Sequence, residues 1–106
     1  MRPRIDAGQL LRGLIGEVVE TVTGKSNHIN GVSGDFVYVG IDKSPNGVKT
    51  RTSDLQKALD ILQLSGSLPV NPETVGFRSS FIFAVLRTLP GVQTSARPKR
   101  VWYPDS

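Results

Sequence analysis

The sequence contains no cysteine and a single histidine, His28. Without cysteine the chain forms neither a disulfide framework nor a thiolate metal site, and a small secreted domain usually needs the former. One histidine leaves no second imidazole with which to complete a transition-metal site. We therefore expect a protein of a reducing, cytoplasmic compartment that carries no metal and requires no cofactor.

Long apolar runs are also lacking. No apolar stretch approaches the roughly 18 residues that a membrane span requires, and the segment after Met1 leads into a helical pattern rather than into a signal peptide. We expect no membrane partner. The length of 106 residues and a hydrophobic content of 38% fit one folded domain, 1–106, rather than two domains or a disordered chain.

Signatures of catalysis are missing as well. The chain has no Gly-x-Ser-x-Gly nucleophile elbow. Gly24-Lys25-Ser26 imitates the end of a phosphate-binding loop, but no glycine lies five positions before it, so we interpret it as a hairpin turn. We predict no catalytic residue in this chain, and hence that it is not an enzyme.

Positive charge is plentiful and unevenly distributed. Thirteen Lys and Arg against nine Asp and Glu give a net charge of +4. Between Thr74 and Pro104 there is no acidic residue, while five cations occur there: Arg78, Arg87, Arg97, Lys99 and Arg100. This polarity favours an anionic partner at the C-terminal third of the chain, although a merely solvated basic face is the alternative.

The pattern of residues 1–47 predicts one helix followed by a three-stranded antiparallel meander. Asp6 is placed to cap a helix over 7–15 that ends at Gly16. Alternating apolar positions then predict strands around Val18–Val22, His28–Val32 and Phe36–Val39, separated by turn-forming residues. We expect 42–47 to be a loop because it contains Ser44-Pro45-Asn46-Gly47.

Residues 48–106 predict a winged-helix-like half. Ser53 and Gln56 have the spacing of a capping box at the start of a helix that Gly66 ends. A short extended link and a further helix over 79–89 follow. The segment from Val92 to Tyr103 predicts a hairpin with cations at its tip. The predicted fold class is therefore α+β.

This succession predicts DNA binding, since in a winged helix-turn-helix the second helix enters the major groove and the hairpin, or wing, grips phosphates. Arginine is the usual reader of guanine, which makes Arg87 the candidate for a base edge. The wing cations are candidates for phosphate contacts. The predicted DNA-binding set is Arg78, Ser80, Arg87, Arg97, Lys99 and Arg100.

Two aromatic residues are further candidates for contact with DNA or a partner. A helical wheel places Phe83 on the exposed side of the last helix, unless the meander covers it. Trp102 and Tyr103 point to opposite faces of the last strand, so at most one belongs to the core and the other is available for stacking. Structural packing is the alternative for both, since small domains commonly use their few aromatic residues in this way.

Turns and apolar positions along nearly the whole chain form one further pattern. They are Leu14-Ile15-Gly16, Thr21-Val22-Thr23-Gly24, Asn27-His28-Ile29, Gly34-Asp35-Phe36-Val37-Tyr38-Val39, Ser44-Pro45-Asn46-Gly47, Leu55-Gln56-Lys57-Ala58-Leu59-Asp60 and Val75-Gly76-Phe77-Arg78-Ser79-Ser80-Phe81. With this pattern the chain resembles the N-terminal domain found ahead of HNH nuclease domains in actinobacterial restriction endonucleases of the modification-dependent, Mcr type.

The resemblance implies a restriction-modification role in which this domain recognises or positions duplex DNA for a nuclease domain or subunit. The HNH motif itself needs several histidines, and His28 is alone. Cleavage would therefore have to come from elsewhere. The alternative from another class is a protein-interaction or assembly module in which the positive charge is incidental and Phe83 and the strand with Trp102 and Tyr103 contact a partner protein.

Overall fold

The computed structural model describes residues 4–21, 24, 26–41, 44–75 and 79–104. Within these ranges the chain forms four helices and seven strands that build two antiparallel sheets. In chain order the elements are α1 Ala7–Gly13, β1 Val18–Glu20, β2 Ser26–Ser33, β3 Phe36–Ile41, β4 Ser44–Arg51, α2 Thr52–Ser65, β5 Ser67–Pro69, α3 Pro72–Val75, α4 Ser79–Leu86, β6 Gln93–Ala96 and β7 Lys99–Trp102. The predicted α+β class is confirmed.

The first sheet has four strands in the order β1-β2-β3-β4, so the prediction of three strands was wrong. The missed strand is β4, which begins at Ser44 inside the predicted loop and pairs with β3 from Phe36↔Arg51 to Ile41↔Ser44. Proline has no backbone N–H to donate to a neighbouring strand. Because β4 is an edge strand, it tolerates Pro45, whereas a central strand would lose a hydrogen bond there. The predicted division of the chain after residue 47 therefore falls within a strand.

The cap of α1 forms as predicted. The Asp6 side chain accepts a hydrogen bond from the Gln9 amide at 2.9 Å, which satisfies one of the free N–H groups of the first turn. The helix ends at Gly13, two residues before the predicted end. Gly16 still marks the change of direction, because its φ of 89° is available to glycine at little cost.

The predicted capping box of α2 does not form. Arg51 is the N-cap and makes no side-chain capping hydrogen bond. Gln56 binds the N-terminal segment instead: its Oε1 accepts from the Ala7 amide at 2.7 Å and its Nε2 donates to the Ile5 carbonyl at 2.9 Å. The end of the helix was predicted correctly, since Gly66 adopts the left-handed conformation with φ of 78°.

A surface ion pair supports the same junction between the N-terminal segment and α2. Arg4 donates to both carboxylate oxygens of Asp60, at 3.2 and 3.3 Å. The hydrogen bond from Arg4, helped by one from Gln56, lowers the pKa of the Asp60 carboxyl. Solvent screens this exposed pair, so the part-buried amide of Gln56 is the stronger tie between the two segments.

The second sheet has three strands in the order β5-β7-β6. The β6–β7 hairpin was predicted, whereas β5 lies in the segment predicted as an unpaired link and pairs with β7 from Ser67↔Trp102 to Pro69↔Arg100. Between β5 and α4 the short α3 is capped reciprocally, because the Asn71 side chain accepts from the Thr74 amide and the Thr74 hydroxyl accepts from the Asn71 amide.

One hydrophobic core joins both sheets. At its centre lies α4, which contacts β1 of the first sheet, β7 of the second sheet, and the helices α2 and α3. No helix in the described ranges is long and apolar enough to cross a membrane.

The amide clasp of Gln56 gives a stability prediction. Gln56→Ala removes the partner of a backbone N–H and of a backbone carbonyl, and part-buried groups of this kind are costly to leave unpaired. We expect the free energy of unfolding to fall by about 1–3 kcal/mol in urea denaturation. The matched control is Gln9→Ala, an exposed glutamine in α1. Equal stability of the two variants would contradict the role given to Gln56.

Candidate nucleic-acid interface

The helix predicted to enter the major groove is buried on all sides. Every residue of α4 from Phe81 to Leu86 is at most 2% exposed, and Phe83 is 1% exposed. Of the two alternatives that the sequence left open for Phe83, exposure to solvent and cover by the first sheet, the structure shows the second. Residues 79–86 contain no charged side chain, and a helix that is apolar all round is buried all round. The first sheet covers the side that the helical wheel had left open, as β1 packs against α4.

Burial confines the accessible side chains of α4 to its two ends. Ser80 is exposed in the first turn, and Arg87 and Thr88 are exposed just after the last turn. Seven residues of helix separate Ser80 from Arg87 by about 10 Å along the axis. The structure therefore does not bring these two predicted DNA contacts together, and α4 offers no continuous face to a groove.

Arg87 lies beside the first sheet. Its guanidinium carbon is 5.9 Å from the centre of the Phe83 ring. It lines a surface groove together with Val18 and Glu20 of β1. The acidic neighbour and the position at the far end of α4 make Arg87 a poor candidate for the base contact that the sequence suggested.

The β6–β7 hairpin carries the remaining cations of the predicted set. Ala96 pairs with Lys99, so Arg97 and Pro98 form the tip, and Arg97 is exposed there. Along β7 the side chains alternate between the two faces of the sheet. Val101 is buried against the core, and Arg100, which is exposed, lies on the opposite, outer face.

Lys99 connects the hairpin to the start of α4. Its Nζ lies 3.1 Å from the Ser80 hydroxyl oxygen and donates a hydrogen bond to it. The side chain of Lys99 is half-buried and that of Ser80 is exposed. Ser80 and Lys99, both predicted as DNA contacts, therefore share one site next to the turn of the hairpin.

The outer face of the second sheet carries Trp102. The guanidinium carbon of Arg100 lies 5.8 Å from the centre of the indole ring, within the range of a cation–π contact. Trp102 is half-buried, whereas Tyr103 is only 7% exposed. This confirms the prediction that at most one of these two aromatics belongs to the core.

An open pocket of about 410 Å³ lies beside this pair of side chains. Its walls come from the end of α2, from β5 and from the residues after β7: Ser65, Gly66, Ser67, Arg100, Trp102, Tyr103 and Pro104. Sequence reasoning missed Gly66 and Ser67 as neighbours of Trp102. Their proximity depends on the β5–β7 pairing, which joins segments more than 30 residues apart.

The hairpin cations are not neutralised by carboxylates of the described residues. The one ion pair within those residues is Arg4 with Asp60. The exposed cations of the hairpin are thus available to an anion from outside the chain. Arg78, the sixth member of the predicted set, lies outside the described residues.

Metal ligands do not cluster in the described ranges: no group of three His, Asp or Glu side chains there is close enough together to hold an ion. The chemistry that the hairpin offers is therefore limited to its cations, one hydroxyl and one aromatic ring. Such a surface binds anions and flat rings.

The burial of Phe83 gives a prediction that separates a core residue from a contact residue. Phe83→Ala leaves a cavity in the middle of the core, and we expect the free energy of unfolding to fall by about 3–5 kcal/mol in chemical denaturation. Leu64→Ala is the control, because Leu64 is 90% exposed. A Phe83→Ala protein as stable as the Leu64→Ala protein would contradict the packing described above.

Comparison of the chain with protein-family models, with curated proteins and with solved structures finds no match. The similarity of its turns and apolar positions to the domain ahead of Mcr-type HNH nucleases therefore stays a prediction. The interpretation of the site depends on its geometry and charge.

Proposed function

We propose that this protein is a DNA-binding module that holds duplex DNA through the β6–β7 hairpin and positions it for a nuclease domain or subunit. The hairpin acts as the wing of a winged-helix-like half, and its cations contact phosphates. The observation that carries the proposal is that the hairpin brings together Arg97, Lys99 and Arg100, none of which pairs with a described carboxylate.

The proposed binding mode differs from the one that the sequence suggested. Because α4 is enclosed by the core, it does not insert into the major groove, and the hairpin makes the first contact with the duplex. Phosphate contacts fix position and orientation and carry no direct sequence information. We therefore propose that the module binds DNA with little base preference. Recognition of a sequence or of a modified base is assigned to the nuclease domain or subunit.

Ser80 completes the proposed phosphate site. Its hydroxyl already accepts a hydrogen bond from Lys99, which leaves the hydroxyl hydrogen available to a phosphate oxygen. The proposed contact set is thus Ser80, Arg97, Lys99 and Arg100. Arg87, at the opposite end of α4, is not included.

A protein-interaction role is the rival proposal, and one observation favours it. Leu64 is 90% exposed at the end of α2, next in sequence to the residues that line the Trp102 pocket. An exposed leucine next in sequence to the wall of a pocket that contains a half-buried tryptophan suits an apolar contact with a partner. The two proposals differ in their response to salt, because apolar contacts are insensitive to the counterions that phosphates release.

The test is the triple variant Arg97→Ala/Lys99→Ala/Arg100→Ala, measured by fluorescence anisotropy on a labelled duplex at about 50–200 mM salt. We expect weaker binding to all duplex sequences alike. The slope of log affinity against log salt should flatten by about two to three, since each lost phosphate contact removes about 0.9 from it.

The matched control is Arg12→Ala/Lys57→Ala, which removes exposed cations on α1 and α2 and should leave the slope nearly unchanged. Equal slopes for the triple variant and the wild-type protein would discard the hairpin as the DNA contact. Binding to a protein partner that ignores salt and is lost in Leu64→Ser would favour the rival.

A further inference from the structure

We propose a second nucleic-acid contact on the outer face of β3 and β4, where unpaired bases stack on Tyr38 and Phe36 and the phosphates lie against Lys49 and Arg51. This site goes beyond the proposed function. It lies on the first sheet rather than on the hairpin, and it takes single-stranded rather than duplex nucleic acid.

The aromatic pair follows from the alternation of side chains along β3. Val37 and Val39 are buried, at 1% and 0% exposed, so they form the inner face of the strand. Phe36 and Tyr38 project from the opposite face and are half-buried. They lie about 7 Å apart, the distance of two residues along a strand. Two of the seven aromatic residues of the chain are thus placed on the solvent side of a central strand.

On the side toward β2, the residues next to Tyr38 and Phe36 have small side chains or none. Gly31 is the cross-strand partner of Tyr38, and Ser33 is the partner of Phe36. A Cβ atom added to Gly31 would meet nothing within 4 Å, so the space beside Tyr38 is open. Usually a large cross-strand neighbour covers an aromatic ring on a sheet. Here the absence of a side chain leaves room for another flat ring.

The flank toward β4 is positively charged. Lys49 is the cross-strand partner of Tyr38, and Arg51 is the partner of Phe36. Both cations are exposed. The Lys49 ammonium lies 5.5 Å from the centre of the Phe36 ring, so an anion that approaches this ring meets a positive charge.

The acids closest in sequence do not neutralise this flank. Asp35 forms the turn before Phe36, and Asp54 lies in the first turn of α2 after Arg51. Neither forms an ion pair with Lys49 or Arg51, as the pair Arg4–Asp60 is the one ion pair of the described residues. Open space beside Tyr38 on one side and cations without a described carboxylate partner on the other match a strand of bases joined by phosphates.

The geometry favours unpaired bases over a duplex. In a duplex the flat faces of the bases are stacked on each other, and a sheet cannot reach them. In a single strand the bases are available to aromatic side chains, and such stacking tolerates any base because every base has a π face. The four residues therefore predict a site for single-stranded nucleic acid with little sequence preference.

The test compares a labelled single-stranded oligonucleotide of about 12 bases, free of self-complementarity, with the same sequence as a duplex. The variant Phe36→Leu/Tyr38→Leu removes both aromatic rings and keeps an apolar side chain at each of the two positions. We expect single-strand affinity to fall at least about tenfold while duplex affinity changes less than about twofold. Val18→Thr, which alters an exposed residue of the same sheet, should change neither affinity.

A second measurement locates the contact directly. An oligonucleotide carrying 5-iodouracil should cross-link under ultraviolet light to Tyr38 or Phe36 in the wild-type protein, as identified by mass spectrometry. Cross-links confined to other residues would overturn the proposal. So would a wild-type protein that does not bind the single strand at about 50 mM salt, where phosphate contacts are strongest.

The proposal for the hairpin and the proposal for the outer face of β3 and β4 are tested independently. The triple hairpin variant should lose duplex binding and keep most of its single-strand binding. If it loses both equally while Phe36→Leu/Tyr38→Leu loses neither, the hairpin is the common site and the sheet-face proposal is overturned. If the sheet-face variant instead dissociates a dimer, as seen by sedimentation, the rings serve contact between copies of the chain and the proposal is likewise overturned.

Discussion

The burial of α4 is the constraint on which the rest of the structure depends. An eight-residue helix without a charged side chain cannot remain at the surface, and the two sheets and α2 enclose it. All six of its residues from Phe81 to Leu86 belong to the buried core, and the transfer of their apolar side chains from water stabilises the fold. Each sheet therefore has one face committed to the core and one left for solvent or a ligand.

Because α4 is buried, the candidate functional surfaces lie on the sheets and not on this helix. The outer face of the second sheet presents Arg100 and Trp102 beside the cations of the hairpin, and that of the first sheet presents Phe36 and Tyr38 beside Lys49. Both faces combine exposed cations with aromatic rings and lack a described carboxylate partner. Two surfaces of the same chemistry on one small domain suit a partner that has duplex and unpaired parts.

The features that the sequence predicted are those that depend on near neighbours. The Asp6 cap, the glycine that ends α2 and the β6–β7 hairpin each require contacts within a few residues. The missed features depend on distant partners: β5 pairs with β7, and Gln56 binds the backbone of α1. The strand β4 was missed because its first residues have the composition of a turn, which an edge strand tolerates. The burial of α4 was detectable, because residues 79–86 lack any charge.

Amide hydrogen exchange, followed with and without duplex DNA, tests the central claim most directly. If α4 is the enclosed centre of the core and the hairpin is the contact, the amides of 81–86 exchange among the slowest in the chain and do not change when DNA is added. Those of 93–102 slow down instead. Rapid exchange of the α4 amides, or their protection by DNA, would contradict this account. Protection by DNA would instead favour α4 as the element that contacts the bases.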